Sequence, residues 1–142
     1  MGRILAIDYG QKRAGLAITD KDRIIATGLA TVHVKDLIKY LKDYISKEEI
    51  DCIVVGEPLD MQSKASDSSR FIDPFVKHLK KQFPEIIVER MDERYTSQMA
   101  MQTMRDAGLK KKSRQNKELV DKISATLILQ SYLEMKSLRN KG

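Results

Sequence analysis

The first part of the chain alternates short apolar segments with polar turns, a pattern that is typical of β-strands. Apolar and β-branched residues dominate positions 3–9, about 14–19 and 24 to about 32. Glycine and charged residues separate these runs at 10–12 and 20–22, which favours tight turns between them. Three consecutive strands joined by short turns predict an antiparallel meander.

The hydrophobic period then changes to that of amphipathic helices. Apolar residues recur at helical spacing over residues 35–48 and again over about 71–83. Pro74 lies inside the second of these segments, so it must either kink the helix or begin it with Asp73 as the N-cap. Both segments therefore predict helices that pack one apolar face against a sheet.

Two short apolar runs and two further helices complete the predicted order. Residues 50–55, nearly continuously apolar, and residues 86–88 predict buried parallel strands. Residues 98–107 and about 118–138 predict helices, the first ending at Gly108. With right-handed crossovers, the order β-β-β-α-β-α-β-α-α predicts an α/β fold. We expect a five-stranded mixed sheet, an antiparallel three-strand meander plus two parallel strands, with helices on both faces.

Length and composition favour a single domain over residues 1–142. Hydrophobic residues make up 42% of the chain, and the only cysteine, Cys52, lies in an apolar run and is interpreted as a buried structural thiol. The N-terminus reaches a charged residue too early for a signal peptide, and no apolar run is long enough to cross a bilayer. We therefore expect a cytoplasmic protein without a membrane partner.

The charge of the chain favours a polyanionic partner. The 26 Lys and Arg residues outnumber the 20 Asp and Glu residues, which gives a formal net charge of +6. Basic residues crowd one predicted loop and are expected to follow a phosphate backbone without reading its sequence: Lys110, Lys111, Lys112 and Arg114. The alternative interpretation of such a run is a solvated face, so nucleic acid is inferred from this run together with the acidic residues below.

Acidic residues stand at the ends of predicted elements. Asp8 ends the first strand, Asp92 and Glu93 end the fifth, and Asp121 lies early in the last helix. The carboxyl ends of neighbouring parallel strands share one edge of a sheet, where α/β proteins usually bind ligands. Converging carboxylates bind hard cations such as Mg²⁺ or Mn²⁺, and two such ions can hydrolyse a phosphodiester. Any one of these acids alone is better explained as an ion pair with a neighbouring base.

The first turn combines an acid, two glycines and two bases. Asp8-x-Gly10, with Gly15 five residues further on, gives a tight turn at which backbone N–H groups can approach phosphate. Lys12 and Arg13 are placed to assist. ATPases of the actin and Hsp70 type use the same turn but close two such domains around the nucleotide. A non-catalytic RNA-binding module is the third alternative, because the basic loop would suffice for it.

Four motifs, in order over nearly the whole chain, resemble those of the YqgF/RuvX family. They are Asp8-Tyr9-Gly10-x-Lys12-Arg13-x-Gly15-Leu16-Ala17, Val55-Gly56-x-Pro58-Leu59, Asp92-Glu93-Arg94-x-Thr96-Ser97 and Val120-Asp121-Lys122-Ile123-x-Ala125-x-x-Ile128-Leu129-Gln130-x-Tyr132-Leu133. The resemblance implies a ribonuclease H-like fold. It also implies a nuclease that matures the 5′ end of pre-16S ribosomal RNA, or a resolvase of Holliday junctions.

The resemblance further implies which residues act and on what. The catalytic acids would be Asp8, Asp92, Glu93 and Asp121, and they would bind Mg²⁺ or Mn²⁺. We take Asp8, Glu93 and Asp121 as the metal ligands, but the sequence leaves open which of Asp92 and Glu93 faces the metal. Arg94 would bind a phosphate or orient Glu93. The expected partners are pre-rRNA or branched DNA and ribosomal particles, with the chain acting as a monomer or a homodimer. Glu57 is a candidate fourth ligand, with an exposed loop charge as the alternative.

Overall fold

A computed structural model of the chain describes residues 2–10, 12–57, 69–92 and 117–141. In chain order the elements are β1 (Arg3–Tyr9), β2 (Arg13–Thr19), β3 (Ala26–His33), α1 (Leu37–Lys47), β4 (Ile50–Glu57), α2 (Ser69–Gln82), β5 (Ile87–Asp92) and α3 (Lys117–Lys141). The predicted α/β class and the five-stranded mixed sheet are confirmed. The predicted helix 98–107 and the basic loop lie outside the described residues.

The sheet has the strand order β3-β2-β1-β4-β5. β1 pairs antiparallel with β2, and β2 with β3, whereas β1–β4 and β4–β5 are parallel pairs. The carboxyl ends of β1, β4 and β5 therefore lie along one side of the sheet, which we call the carboxyl edge. The opposite side, where these three strands begin, is the amino edge.

Alternating side chains of the strands supply two separate cores. On one face, α1 and α2 cover a cluster that includes Leu5, Ile7, Leu16, Ile53, Val55, Leu37, Leu41, Ile72 and Leu79. On the other face, α3 covers a cluster that includes Ile4, Ala6, Ala17, Cys52, Val54, Met91, Ala125, Ile128, Leu129 and Tyr132. The central strands are thus buried on both faces, as their continuous apolar runs predict. Burial raises the pKa of the Cys52 thiol, which agrees with a structural role.

Of the two alternatives for Pro74, the one in which it begins the second helix with Asp73 as N-cap is excluded. The helix begins at Ser69, and Pro74 lies within it. As the sixth helical residue, Pro74 removes one internal backbone hydrogen bond, which packing of the apolar face against the sheet can offset. Asp73 instead forms an ion pair with Arg90 of β5, at 2.6 Å between Oδ1 and Nη1. This contact ties α2 to the outer strand of the sheet.

Three residues that were predicted to lie in strands are exposed. β3 begins at Ala26 because Asp20 Oδ1 accepts the backbone N–H groups of Ile24 at 2.7 Å and Ile25 at 2.9 Å. These two isoleucines, 72% and 62% exposed, belong to the turn. Ile87 is 61% exposed because β5 is an outer strand, so the prediction that this strand is buried is wrong at its first residue.

The last helix packs directly on the edge strand β3 at Gly28. A Cβ atom at this position would lie 3.4 Å from Thr126 Oγ1 and 3.5 Å from Lys122 Cβ. From this crossing α3 runs across the sheet towards β4 and β5, where Tyr132 packs against Cys52. None of the helices that the structure describes is both long enough and apolar enough to span a membrane.

Candidate active site at the carboxyl edge

Asp8 lies at the carboxyl edge in a row of residues that is almost free of side chains. Its register partners are Gly15 on β2 and Gly56 on β4, and the next residue in the row is Met91 on β5. Asp8 itself is partly buried. Because glycine has no side chain, neither register partner of Asp8 places a side chain beside its carboxylate.

The turn after Asp8 depends on Gly10. The Gly10 N–H donates a hydrogen bond to the carbonyl oxygen of Arg13 at 3.0 Å. A Cβ atom at Gly10 would lie 2.7 Å from the same oxygen, so any other residue would force the backbone to shift. The exposed Lys12 is fixed through its carbonyl oxygen, which accepts the Val34 N–H at 3.0 Å. The turn thus holds Lys12 and Arg13 at the same edge as Asp8.

Acidic positions on β4 and β5 reach the same edge. Glu57 and Asp92 are the last residues of their strands and are register partners. The two preceding residues of β5 show which side chains lie on which face of the sheet. Met91 is buried under α3, whereas Arg90 contacts Asp73 of α2 on the opposite face. The next acid, Glu93, lies outside the described residues.

Residue 121 is the fifth residue of α3 and falls on the stripe of that helix that faces the sheet. Ala125, Ile128 and Tyr132 follow it at spacings of four, three and four residues, which is the period of one helix face. All three of these residues are buried in the core under α3. The amphipathic period therefore assigns position 121 to the side of the helix that packs on the sheet.

A buried tyrosine anchors α3. The Tyr132 hydroxyl, on a side chain that is 2% exposed, donates a hydrogen bond to a Glu89 carboxylate oxygen and lies 3.7 Å from Cys52 Sγ. Burial, reinforced by the Glu89 carboxylate, raises the pKa of Tyr132, so it stays a neutral donor. The Lys136 ammonium lies 5.5 Å from the centre of the tyrosine ring. These contacts fix the helix that carries Asp121 against β4 and β5.

Sequence reasoning missed the anchor at Tyr132. One signal was available, because a tyrosine on an otherwise apolar helix stripe needs a partner for its hydroxyl group. Glu89 supplies that partner from a strand that was interpreted only as apolar. The link spans 43 residues of sequence, so no local pattern could have paired the two.

A different acidic residue, Asp51, is fully engaged at the amino edge. Its Oδ2 accepts the Arg23 guanidinium at 2.6 Å and the Gly2 backbone N–H at 2.8 Å. The Arg23 Nε also donates to the Gly2 carbonyl oxygen at 2.8 Å, and Arg23 adopts a left-handed backbone with φ of 59°. This network closes the β2–β3 turn onto β1 and β4 and is structural.

The predicted site residues are described to different extents. Asp8 has a described side chain, whereas Asp92 and Asp121 are placed by the backbone of β5 and α3. Lys12 and Arg13 are described on the Gly10 turn. The other predicted residues lie outside the described ranges: Glu93, Arg94, Lys110, Lys111, Lys112 and Arg114. Among the described side chains alone, no group of three His, Cys, Asp or Glu residues is placed to hold a metal ion. The two histidines, His33 and His78, are exposed.

Known proteins resemble this chain in fold. The structure is similar to the fowlpox virus Holliday junction resolvase, with a TM-score of 0.55 at 15% identity. The superposition covers 94% of this chain and 99% of the resolvase chain. The same resolvase in complex with Holliday junction DNA gives a TM-score of 0.56 at 16% identity, over 94% and 97% of the two chains. This likeness confirms the predicted ribonuclease H-like fold.

Known proteins also resemble this chain in sequence. Relatives from Flavobacterium psychrophilum and Phocaeicola vulgatus, both named "Putative pre-16S rRNA nuclease", are 55% and 56% identical over 136 residues. The aligned part is 96% of this chain in both cases and 99% and 98% of the relatives. The sequence model of the RuvX family, described as Holliday junction resolvase, matches residues 2–135. The chain therefore belongs to the RuvX family, as its four motifs predict.

Proposed function

We propose that this chain is a divalent-metal-dependent nuclease that hydrolyses phosphodiester bonds in structured nucleic acid. The observation that carries the proposal is the row Gly15–Asp8–Gly56 at the carboxyl edge. A carboxylate flanked by two glycines leaves room for a cation and a phosphate group, which a merely structural aspartate does not need. Membership of a family described by a nuclease activity supports the same conclusion.

Strand alternation favours Glu93 over Asp92 as the metal ligand. Ile4 and Ala6, which alternate with Asp8 along β1, are buried under α3, and so is Met91 on β5. If the alternation of β5 continues, position 93 shares the face of Met91 and Asp8, whereas position 92 shares the face of Arg90. Residue 121 belongs to the helix that covers the former face. The proposed metal ligands are accordingly Asp8, Glu93 and Asp121.

This donor set fits a hard divalent cation. Three carboxylates repel one another, and Mg²⁺ or Mn²⁺ prefers oxygen ligands. When bound, such ions supply an activated water and neutralise charge on the leaving oxygen. Asp8 lies on β1 and Asp121 on α3, the helix that Tyr132 anchors, and Glu93 directly follows the last residue of β5 in the sequence. Asp92 and Glu57 are register partners at the carboxyl edge, at positions of the opposite face of the sheet. They are proposed to act as additional acids around this set.

Basic residues are proposed to bind the substrate backbone. Lys12 and Arg13 flank Asp8 on the Gly10 turn, where they can contact a phosphate on the 5′ or 3′ side of the scissile bond. Arg94 and the basic loop, Lys110, Lys111, Lys112 and Arg114, would extend this contact by sequence-independent attraction. Binding should accordingly weaken steeply as the salt concentration rises.

We propose pre-16S ribosomal RNA as the substrate, which would place the protein in the cytoplasm with ribosomal particles as partners. The names of relatives above half identity support this choice. A four-way DNA junction is the second candidate, because the family description and the fold neighbours concern such junctions. A monomer suffices for RNA, whereas paired cuts in a junction favour a homodimer.

The test is hydrolysis by purified wild-type protein and by the Asp8→Asn variant. With Mg²⁺ or Mn²⁺, the wild type should cut an RNA containing the 5′ boundary of 16S rRNA faster than a four-way DNA junction. Asp8→Asn should lower the rate about a thousandfold, about 4 kcal/mol of activation free energy, while thermal unfolding stays unchanged or improves. Equal cutting by the variant would sink the proposal.

Metal binding separates the enzyme from a non-catalytic RNA-binding module. Titration calorimetry with Mn²⁺ should give a signal that Asp8→Asn weakens strongly, whereas RNA binding at low salt should remain. A protein that binds RNA but takes up no Mn²⁺ through Asp8 would be such a module.

A further inference from the structure

A groove at the amino edge lies on the opposite side of the sheet from the candidate active site. It has a volume of about 480 Å³, within the usual range of binding pockets. Its floor is apolar and is formed where α1 and α2 end and β4 and β5 begin, by Ile45, Ile50, Phe83 and Ile86. We call it the amino-edge groove. Gly56, at the carboxyl edge, lies six residues along β4 from Ile50 of the groove. The groove is therefore about 20 Å from the candidate active site.

The rim of the amino-edge groove is acidic. Glu49 and Glu85 are exposed on it, and Asp51, the third acid, is already paired with Arg23. Among the described residues, no lysine or arginine lines the groove. Neither Glu49 nor Glu85 is paired with a base within the parts of the chain that the structure describes. These carboxylates therefore give a negative surface on a chain whose net charge is +6.

An apolar floor with an acidic rim selects against nucleic acid. Phosphate groups would be repelled by Glu49 and Glu85, and no donor side chain from Lys or Arg compensates. The combination suits a lysine or arginine beside an apolar side chain, because the long aliphatic stem of these bases packs on apolar surface while the charged head meets a carboxylate. Charge complementarity thus points to a basic peptide.

We propose that the amino-edge groove docks a short basic and apolar peptide segment of a partner protein. An apolar side chain of the partner fills the space over Phe83 and Ile86, and its flanking lysine or arginine residues pair with Glu49 and Glu85. The groove and the carboxyl edge are far enough apart for both to be occupied at once. The docking site does not depend on the proposed nuclease activity.

The test uses the full chain labelled with ¹⁵N and the probe peptide acetyl-Lys-Leu-Arg-Phe-Lys-amide. Two-dimensional NMR should show shifts of the backbone amide signals of residues 45, 49, 50, 82, 83, 85 and 86 and none at 8–15. Glu49→Gln together with Glu85→Gln should weaken the affinity about tenfold, which is about 1.4 kcal/mol for two surface ion pairs. The matched control is Glu134→Gln, at an exposed glutamate of α3, which should leave the affinity unchanged.

Several outcomes would overturn the docking proposal. One is equal binding of a peptide with glutamate in place of its three basic residues; another is a set of shifts confined to the carboxyl edge. Self-association at high concentration that shifts the groove residues without peptide would assign the groove to a second copy instead. Nuclease activity should be the same in the double variant and the wild type, so failure of one proposal leaves the other standing.

Discussion

The two edges of the sheet use the same residue types for different purposes. At the amino edge, Asp51 accepts two hydrogen bonds from Arg23 and Gly2 and joins three segments of the chain. At the carboxyl edge, Asp8 stands between two strand positions that are glycine. Asp51 is held by partners from two other segments of the chain, whereas the register partners of Asp8 on both neighbouring strands carry no side chain. The surroundings of a carboxylate, more than its position at a strand end, indicate whether it holds the fold or a ligand.

The difference has a thermodynamic side. Hydrogen-bond donors around Asp51 stabilise its charge, so that edge contributes to folding. Acids that gather without donors repel one another and reduce stability until a cation binds, and such strained sites are typical of function. Replacing an acid should therefore lower stability at the amino edge and lower activity at the carboxyl edge.

The largest effect that sharpens this comparison is expected at Glu93. Glu93→Gln should lower the rate of RNA cleavage at least about a hundredfold, about 2.7 kcal/mol of activation free energy. Asp92→Asn, its matched control one residue earlier, should cost less than about tenfold, because alternation turns position 92 towards the face of Arg90. Single-turnover cleavage at saturating Mn²⁺ measures both. A larger loss in Asp92→Asn would reverse the assignment of the metal ligand.

A smaller effect, on stability, is expected at Asp51. Asp51→Asn removes the charge that pairs with Arg23 and should lower the free energy of unfolding by about 1–2 kcal/mol, since both side chains are partly exposed. The cleavage rate should stay within about twofold of the wild type. Urea unfolding of Asp51→Asn, Arg23→Gln and the double variant measures the coupling of the pair. Additive losses would mean that the network is not cooperative.

Most of the fold could be predicted from periodicity. The alternation of apolar and polar segments predicted the antiparallel meander, and apolar residues at a period of 3.6 predicted α1. The rule of right-handed crossovers predicted that β1, β4 and β5 are neighbours in the sheet. Residue type gave a wrong prediction where a single long-range or turn contact determines the local backbone conformation. Ile24 and Ile25 are good strand residues, yet the Asp20 carboxylate takes their N–H groups into the turn. Arg23 adopts a left-handed backbone that favours glycine, because Asp51 and Gly2 hold its side chain.

The candidate site could be predicted less completely. Strand ends identified Asp8 and the acids at 92 and 93, but the choice between these two needs the face on which β5 is buried. That face follows from Met91 packing beneath α3. The glycines beside Asp8 were visible in the sequence, but their common row with it is a property of strand register. Register depends on pairing partners that no single segment encodes.

The smallest expected effect concerns Asp20 at the amino edge, through the pH dependence of the free energy of unfolding. Hydrogen bonds from the backbone N–H groups of Ile25 and Ile24 lower the pKa of Asp20 from its usual value near 3.8. A lowered pKa in the folded state means that the stabilisation is present above about pH 4 and is lost as the pH falls through the lower, folded pKa. Wild-type stability should therefore decline along an acid limb below pH 4 to which Asp20 contributes.

Two variants at Asp20 separate its charge from its turn geometry. Asn at position 20 keeps an oxygen that can accept the Ile24 and Ile25 N–H groups but cannot titrate, so Asp20→Asn should flatten the acid limb slightly while stability at pH 7 changes little. Asp20→Ala removes the acceptor and should lower stability at pH 7 as well. Urea unfolding at pH 7, 4, 3 and 2.5 measures both. An acid limb of unchanged slope in Asp20→Asn would show that Asp20 does not couple folding to pH, and the turn would then rest on geometry alone.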